Sequence, residues 1–472
     1  MSRGDVGRAS YGGVSRAKFD RAAFAITASL LVSSGLAFAG DTVDDLNTLV
    51  KKTGAPTGGP CGAAGCATES PFAAFCAKPF GTACSGNPSG EQYEKIQAFK
   101  KNCLKDVMKD LPPLPPKPIP DKRGPDLIPP ENLDEIRAWQ KKFDRYQGKL
   151  LSAILPGKTV DAVNGLFEEV RSHMLHAVDA QKGLAAQTKT YMKGKVADTT
   201  IVSPLEYLNA FTTDVTELAH YNEFMKHCGP DGLSTNAFNI RFNGADHVVV
   251  CPGYFIDALK DVTHCGEEKP KIGDGPKTKD FQISPLPVDK LRVEKQGYLK
   301  MRILIDKTPD DTLIDYDALV RVFGHEIGHS IDAAGYGPTD EKTGKKPLVL
   351  ETGFEKYAAC IQKKHPTLKP PLEYLNEISA DYWSAEAMAK YNETAYSFAL
   401  QFNSLSPKDA LRIIKSQMSG LCGSTQGDRH PDGATRIRSI YGMNSSLRES
   451  LRCPSMPSKQ TTCTFEGEVP VK

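Results

Sequence analysis

The chain has 472 residues, of which 40% are hydrophobic and 25% are charged, and its formal net charge is +2. This length allows two or three domains and a sizeable hydrophobic core. Binding to nucleic acid or to a membrane surface usually requires a marked excess of basic residues, so the nearly neutral balance argues against either partner.

The first 39 residues (1–39) have the pattern of an export signal. Basic residues at 16, 18 and 21 precede an apolar run, which ends in Ala37-Phe38-Ala39. The run is short and ends in a small-x-small site, so we expect cleavage before Gly40 rather than a retained membrane anchor. The predicted product is exported to the periplasm or the cell exterior, without stable insertion in a membrane.

Cysteine usage fits an exported chain. All twelve cysteines follow the predicted signal, and an even number in such a chain predicts up to six disulfides. A second metal site at Cys61 and Cys66 is the alternative, but their spacing lacks a matching pair. Residues 40–110, which are rich in Gly and Cys, are therefore predicted to be a small disulfide-stapled region.

A proline-rich stretch separates this region from a helical one. Residues 111–130 contain nine prolines, which keep the backbone extended and predict a semi-rigid linker. From 131 to 230 apolar residues recur at helical spacing, which predicts a helical cap region. Its first apolar face is formed by Leu133, Ile136, Trp139 and Phe143.

Residues 231–472 are predicted to form the catalytic domain. It opens with two short strands, 235–242 and 247–250, joined by the hairpin signal Asn243-Gly244. In a zinc protease, a strand beside the metal binds extended substrate through backbone hydrogen bonds. The alternative is a pair of ordinary core strands.

The motif His325-Glu326-Ile327-Gly328-His329 lies in an apolar helical segment that is predicted to begin near Asp315 or Asp317. Residues four apart lie on one helix face, so both imidazoles can reach one ion, with Glu326 beside it. A catalytic zinc site has three protein ligands and one position open to water, whose proton a carboxylate can accept. The motif predicts a zinc hydrolase with Glu326 as the base. The alternative is a buried helix that carries two histidines by chance.

A third metal ligand must come from elsewhere in the chain. A histidine six residues after the second one is absent, because Gly335 stands there. Glu377 and Asp381 are four apart in a segment of helical composition, predicted to run to Lys390. Glu377 can ligate zinc, and Asp381 can accept a hydrogen bond that fixes the tautomer of a ligand histidine. Alone, this pair would be read as a solvated helix face.

Two further polar residues follow two predicted helices, about 391–404 and 407–420. Near a zinc site, His430 and Arg436 could hydrogen-bond the oxyanion of a tetrahedral intermediate and hold a substrate carbonyl or carboxylate. Without that context they would be unremarkable.

In this order, the motifs resemble the neprilysin and endothelin-converting-enzyme family of gluzincin metallopeptidases. The match covers roughly 235–463, about half of the chain. It is carried by Asn-Ala-Phe, His-Glu-Ile-x-His-x-x-Asp, Glu-x-x-x-Asp, a cysteine, His-x₅-Arg and two terminal cysteines. The resemblance implies an α+β zincin-type fold, with the active-site helix against a small mixed sheet, and one Zn²⁺ per chain.

The resemblance also implies a role for each residue of the site. The implied metal ligands are His325, His329 and Glu377. The implied base, oxyanion donor and orienting residue for His325 are Glu326, His430 and Asp381. The implied substrate-binding residues are Asn236, Ala237 and Arg436. The implied disulfides join Cys360 to Cys463, and Cys422 and Cys453 to N-terminal cysteines.

The chain departs from the family pattern at three places. The region before the active site, 40–234, is shorter, the gap from Asn236 to His325 is longer, and Thr464-Phe465-Glu466 replaces a terminal aromatic signature. Restriction to small peptides is therefore not implied. Residues 325–329 and 430–437 also resemble the CAAX-protease and periplasmic chaperone-protease family, but the cysteine pattern favours the first family.

The sequence thus predicts an exported zinc metalloendopeptidase that acts on peptide or protein substrates. An alternative from another class is an exported binding or envelope-assembly protein with a structural zinc. Glu326 and the pair His430 and Arg436 argue against that alternative, because structural zinc requires neither and usually has four protein ligands.

Overall fold

Helices dominate the part of the chain that the computed structural model describes, and two small sheets accompany them. The described residues are 70–86, 88–113, 133–155, 157–209, 217–242, 244–263, 265, 314–332, 352–366, 372–401, 404–425, 430–456 and 460–471. The predicted export signal (1–39) and most of the predicted linker (114–130) lie outside them. This mostly helical arrangement with small sheets is compatible with the predicted α+β class.

Short helices at the start of the described chain are tied to its far end. They are α1 (Ala73–Ala77), α2 (Pro79–Ala83) and α3 (Pro88–Cys103). Three disulfides fix them to later residues, namely Cys76–Cys453, Cys84–Cys422 and Cys103–Cys265. The predicted stapling is therefore present, and such long-range bridges stabilise mainly by restricting the unfolded chain.

Two further disulfides join described cysteines, Cys228–Cys251 and Cys360–Cys463. The pairing of Cys360, and the pairing of Cys422 and Cys453 with N-terminal cysteines, are those that the resemblance implies.

The predicted cap region is mainly helical in its described part, with one short strand, Thr200–Val202. Its helices are α4 (Leu133–Ile154), α5 (Gly157–Ala180), α6 (Ala186–Asp198), α7 (Pro204–Asn209) and α8 (Glu217–Cys228). Of the predicted apolar face of α4, Ile136, Trp139 and Phe143 are buried. This burial follows from spacing of three and four residues, which places apolar side chains on one face.

A mixed three-stranded sheet follows. Strand β3 (Ala245–Val250) pairs in parallel with β1 (Thr200–Val202) and antiparallel with β2 (Ala237–Phe242), in the order β1-β3-β2. The predicted hairpin is confirmed, and Gly244 in its turn has φ +81°, a conformation that glycine adopts without strain. Short strand β1 was not predicted.

Two helices form the centre of the molecule beside this sheet. After helix α9 (Pro252–Ala258), helix α10 (Tyr316–Gly328) begins at Asp315, whose carboxylate accepts a hydrogen bond from the N–H of Asp317. All α10 residues from Asp317 onward are buried. After α11 (Thr352–Lys364), helix α12 runs from Leu372 to Gln401.

The prediction of one helix ending at Lys390 and another over 391–404 was wrong in detail. Residues 372–401 form a single helix of 30 residues. The stretch contains neither Gly nor Pro, so no residue interrupts the backbone hydrogen bonds. The helix predicted over 407–420 is present as α13 (Pro407–Met418).

The C-terminal part completes the core. A short turn, Gly433–Thr435, leads into a π-helical turn, Arg436–Tyr441, and is followed by α14 (Ser445–Ser450). Strands β4 (Thr461–Thr464) and β5 (Gly467–Pro470) form an antiparallel hairpin. Between them, buried Phe465 packs against the rings of Tyr357, Tyr382 and Trp383, at centroid distances of 5.1–5.3 Å.

All described residues belong to one compact unit, Glu69–Lys472. Its main hydrophobic core takes side chains from both sides of the predicted boundary at 230/231, including Phe99, Phe167, Phe323 and Trp383. The predicted domain boundaries remain predictions. No helix in the described ranges combines the length and apolar character needed to cross a membrane.

Candidate metal centre

Helices α10 and α12 approach so closely that their backbones are in contact. A Cβ added to Gly328 would lie 2.9 Å from the Cα of Ala380, and one added to Gly324 would lie 3.0 Å from the Cα of Ser384. Real Cβ atoms hardly ever come so near, so the contact requires glycine on α10. The approach places Glu377 of α12 beside the two histidines of α10.

Three ligand atoms converge between these helices. The Nε2 atoms of His325 and His329 are 3.2 Å apart. Oε2 of Glu377 lies 3.2 Å from the first of these nitrogens and 3.6 Å from the second. Ligands of tetrahedral zinc, with bonds of about 2.0–2.1 Å, are separated by about 3.3–3.4 Å. The observed separations therefore fit a single cation.

The donor chemistry agrees with this fit. Oε2 of Glu377 is buried and has ring nitrogens of His325, His329 and His430 within 3.6 Å, but none of them forms a hydrogen bond of acceptable geometry with it. A buried carboxylate oxygen without a well-formed hydrogen bond is unfavourable, and a cation between it and the imidazoles would satisfy it. Two imidazoles and one carboxylate are a common ligand set of catalytic zinc.

A carboxylate lies behind each imidazole. Nδ1 of His325 is 3.0 Å from Oδ1 of Asp381, and Nδ1 of His329 is 3.0 Å from Oδ2 of Asp332. An ionised carboxylate only accepts, so we assign the proton of each neutral ring to Nδ1. Both Nε2 lone pairs are then directed at the candidate metal position.

Asp381 is held by two more side chains. Arg436 contacts both of its oxygens, with Nε 2.6 Å from Oδ2 and Nη2 2.7 Å from Oδ1. The hydroxyl of Tyr441 donates to Oδ1 at 2.9 Å. Burial alone would raise the pKa of Asp381, but the charge of Arg436 and the hydrogen bonds hold this pKa well below its usual range. Asp381 is therefore ionised at neutral pH.

The candidate ligands affect each other's protonation. Burial opposes charging of His325 and His329, but the neighbouring carboxylates outweigh it and raise the pKa of both rings. Burial would also raise the pKa of Glu377, yet the histidines hold it well below its usual range. Because zinc binds neutral imidazole, metal binding must displace protons from this cluster.

His430 lies beside Glu377, and Glu326 lies near His329. Nε2 of His430 is 2.8 Å from Oε2 of Glu377, and its side chain is 45% exposed, so it reaches the site from the solvent side. His325, Glu377 and His430 offer ligand atoms that all lie within 4.8 Å of one another. Glu326 is buried and near enough to His329 to contribute to the raised pKa of that ring.

Of the predicted substrate-binding residues, Asn236 and Ala237 lie at the start of β2, whereas Arg436 is bonded to Asp381. Ala237 is buried at the start of β2, and Asn236 precedes it and donates from Nδ2 to the carbonyl of His227 at 3.3 Å. Asn239, which was not predicted, donates to the backbone carbonyl of Glu326 at 2.9 Å and so joins β2 to α10. Arg436 is 6% exposed and engaged with Asp381.

A cavity of about 980 Å³ lies at the other end of α10, around Asp315 and Asp317. Lys95 and Arg412 also line it, and none of the predicted site residues does. We assign it no role in the metal centre.

No protein-family model matches the chain, and no curated protein is significantly similar to it.

Proposed function

We propose that the chain is an exported zinc-dependent metalloendopeptidase with a zincin-type catalytic domain. The observation that carries this proposal is the convergence of His325, His329 and Glu377, at separations that suit one Zn²⁺. Glu326 lies near His329. The five disulfides among described cysteines and the predicted export signal favour an oxidising location, the periplasm or the cell exterior.

Each residue has a chemical task in this proposal. Zinc, when bound, supplies a Lewis acid that makes water nucleophilic near neutral pH. Glu326 accepts the proton of the attacking water and passes it to the leaving amine. His430 donates a hydrogen bond from its ring to the oxyanion that develops on the substrate carbonyl. Extended substrate would lie along β2, one of the two edge strands of the described sheet and the one that bonds to α10 through Asn239.

Glu326→Gln tests the assigned base. We expect the variant of the purified mature chain to keep its zinc and to lose hydrolysis of a mixed peptide and protein library. Glu393→Gln, at an exposed position of α12, is the matched control and should behave as wild type. Full activity of Glu326→Gln, or hydrolysis by wild type that survives a chelator, would refute the proposal.

Glu377→Ala tests the third ligand. The variant should lose the metal, because two imidazoles alone hold zinc weakly. Unchanged zinc stoichiometry would remove Glu377 from the ligand set. Hydrolysis that yields internal fragments, rather than single residues from one end, is the result expected for an endopeptidase.

A second function is favoured by the position of His430. With its Nε2 2.8 Å from Glu377, this ring could serve as a fourth ligand and close the site, as in structural zinc centres. The chain would then be an exported binding or envelope-assembly protein. His430→Ala separates the two functions: in the enzyme it keeps zinc and reduces turnover by about 10²–10³-fold, as loss of an oxyanion donor does. In the structural site it weakens zinc binding, and wild type hydrolyses nothing.

The resemblance of residues 325–329 and 430–437 to the periplasmic chaperone-proteases admits another interpretation of the same chemistry. A gluzincin similar to the periplasmic chaperone-proteases would use the same ligands and the same base. Cleavage of folded or misfolded proteins in preference to short peptides would favour that reading over a neprilysin-like enzyme.

A further inference from the structure

Tyr441 is a buried tyrosine with no place in the proposed hydrolysis, yet it is bonded to the metal site. Its hydroxyl lies 2.9 Å from Oδ1 of Asp381, and both side chains are completely buried. Oδ1 also accepts from Nη2 of Arg436 and Nδ1 of His325, while Oδ2 accepts from Nε of Arg436. Tyr441 is thus one of three donors on the oxygen that holds a metal ligand.

An unusual backbone turn brings the tyrosine there. In an α-helix, residues five apart are rotated by about 140° from each other and lie on different faces. Arg436–Tyr441 is a π-helical turn instead, in which the N–H of Gly442 bonds to the carbonyl of Ile437 at 2.8 Å. This winding puts Arg436 and Tyr441 on one face, so that both reach the same carboxylate. π-Helical turns are rare and occur frequently at functional sites.

The end of the turn leaves no room for a side chain at position 442. A Cβ on Gly442 would lie 2.5 Å from Cγ of Pro79 and 3.0 Å from the carbonyl oxygen of Ile437. The π-helical turn is therefore built into the packing between the N-terminal helices and the C-terminal part.

The two donors to Asp381 act differently. Arg436 supplies the positive charge that keeps this buried carboxylate ionised. The hydroxyl of Tyr441 adds no charge. It reinforces the carboxylate orientation that the two bonds from Arg436 set, and it does so at Oδ1, the oxygen that also holds His325. The direction of Oδ1 sets the orientation of the His325 ring, and thereby the direction of its Nε2.

We propose that Tyr441 is a positioning residue, which orients metal ligand His325 through Asp381. The inference rests on the proposed zinc site and not on peptide hydrolysis. Outer partners of metal ligands contribute through ring orientation, and their loss typically weakens metal binding by about 10–100-fold.

Tyr441→Phe removes the hydroxyl and keeps the ring. We expect zinc affinity, measured by competition with a chromophoric chelator, to fall by about 10-fold or more. In the cobalt-substituted protein, the visible absorption of Co²⁺ should shift, because it reports ligand geometry. Tyr382→Phe is the matched control: it removes a buried hydroxyl on the residue after Asp381 that bonds to Oε1 of Gln181, and zinc binding should be unchanged.

The measurements separate positioning from general structural support. A merely structural role would lower the stability of the metal-free protein and leave zinc affinity and the cobalt spectrum as in wild type, which would overturn the inference. A wild-type protein that binds zinc but hydrolyses nothing would refute the proposed peptidase, while the comparison of Tyr441→Phe with wild type would still decide the role of Tyr441. A wild-type protein without zinc affinity would overturn both.

Discussion

Arg436 and Asp381 form a two-bond ion pair in the interior of the protein. The two contacts are 2.6 and 2.7 Å long, and Asp381 is completely buried. Removing one partner of a buried pair leaves an uncompensated charge and costs about 3–5 kcal/mol. We therefore expect Arg436→Ala to lower the free energy of unfolding of the metal-free protein by about that amount, as measured by urea denaturation with a chelator present.

The pair can be tested further by combining variants. The double variant Arg436→Ala, Asp381→Asn keeps neither charge of the pair. Its loss of unfolding free energy should therefore be clearly smaller than the sum of the losses in the two single variants. Arg436→Lys keeps the charge but not the planar guanidinium group. Its free energy of unfolding should therefore lie between those of wild type and Arg436→Ala. If the loss of unfolding free energy in the double variant equals the sum of the two single losses, the two side chains do not interact.

Gly328 sets the distance between the two helices that carry the candidate ligands. In Gly328→Ala the new methyl group would lie 2.9 Å from the Cα and 3.0 Å from the carbonyl oxygen of Ala380, so α10 and α12 must separate. Overpacking of this kind costs about 1–3 kcal/mol. We expect lower stability and weaker zinc binding together, because Glu377 moves away from the histidines. Urea denaturation and chelator competition measure the two effects.

Gly165 on α5 provides the control for that substitution. A Cβ there would meet no atom within 4 Å, and the position is exposed. Gly165→Ala should stabilise the protein by about 0.5–1 kcal/mol through helix propensity and leave zinc binding unchanged. Wild-type zinc affinity in Gly328→Ala would mean that the helix contact does not position the ligands.

Local signals explain which parts of the site could be predicted from the sequence. The spacing of His325 and His329 depends only on helix geometry, and Asn243-Gly244 fits a two-residue turn. The start of α10 was also predictable, since Asp315 is a good N-cap. Glu377 required an assumption about a second helix, because nothing in its own neighbourhood distinguishes a ligand from a surface carboxylate.

The residues that were missed depend on contacts between distant segments. Tyr441 reaches Asp381 only because of the π-helical turn, which no periodicity in the sequence reveals. Strand β1 has three residues and pairs in parallel with a strand about 45 residues later, so it lacks a local signal. The small residues at 324, 328, 380 and 384 were visible in the sequence, as two pairs spaced by four that could have predicted a close helix contact.

Asn239 links the edge strand to the residue that carries the proposed base. Its Nδ2 donates to the backbone carbonyl of Glu326 at 2.9 Å. A typical hydrogen bond contributes about 1 kcal/mol, so we expect Asn239→Ala to reduce kcat/KM by about 5–10-fold if the proposed peptidase activity is present. Zinc content should not change. The exposed Asn222→Ala is the control. Parallel loss of zinc and activity would show that the bond supports the ligands rather than the base.

Asp317 makes stability depend on pH. Its carboxyl group is buried and accepts from the hydroxyl of Tyr396, with 2.7 Å to each oxygen. Burial, followed by the nearby charge of Asp315, raises the pKa of Asp317 to about 7. The folded protein therefore holds this proton more tightly than the unfolded chain, in which an aspartate has a pKa of about 3.9. The contribution of the group to the free energy of unfolding is full below about pH 4 and is lost as the pH rises to about 7.

Asp317→Asn removes the titration and keeps a side chain of the same shape. We expect wild type to lose on the order of 2 kcal/mol of unfolding free energy between pH 5 and pH 8 that the variant does not lose. Urea denaturation at several pH values, with a chelator to exclude metal effects, measures the difference. The exposed Asp198→Asn should follow the wild-type profile. If Asp317→Asn instead loses stability with pH as steeply as wild type, the buried carboxyl group is ionised throughout and the ion pair with Arg412, 3.8 Å away, compensates its charge.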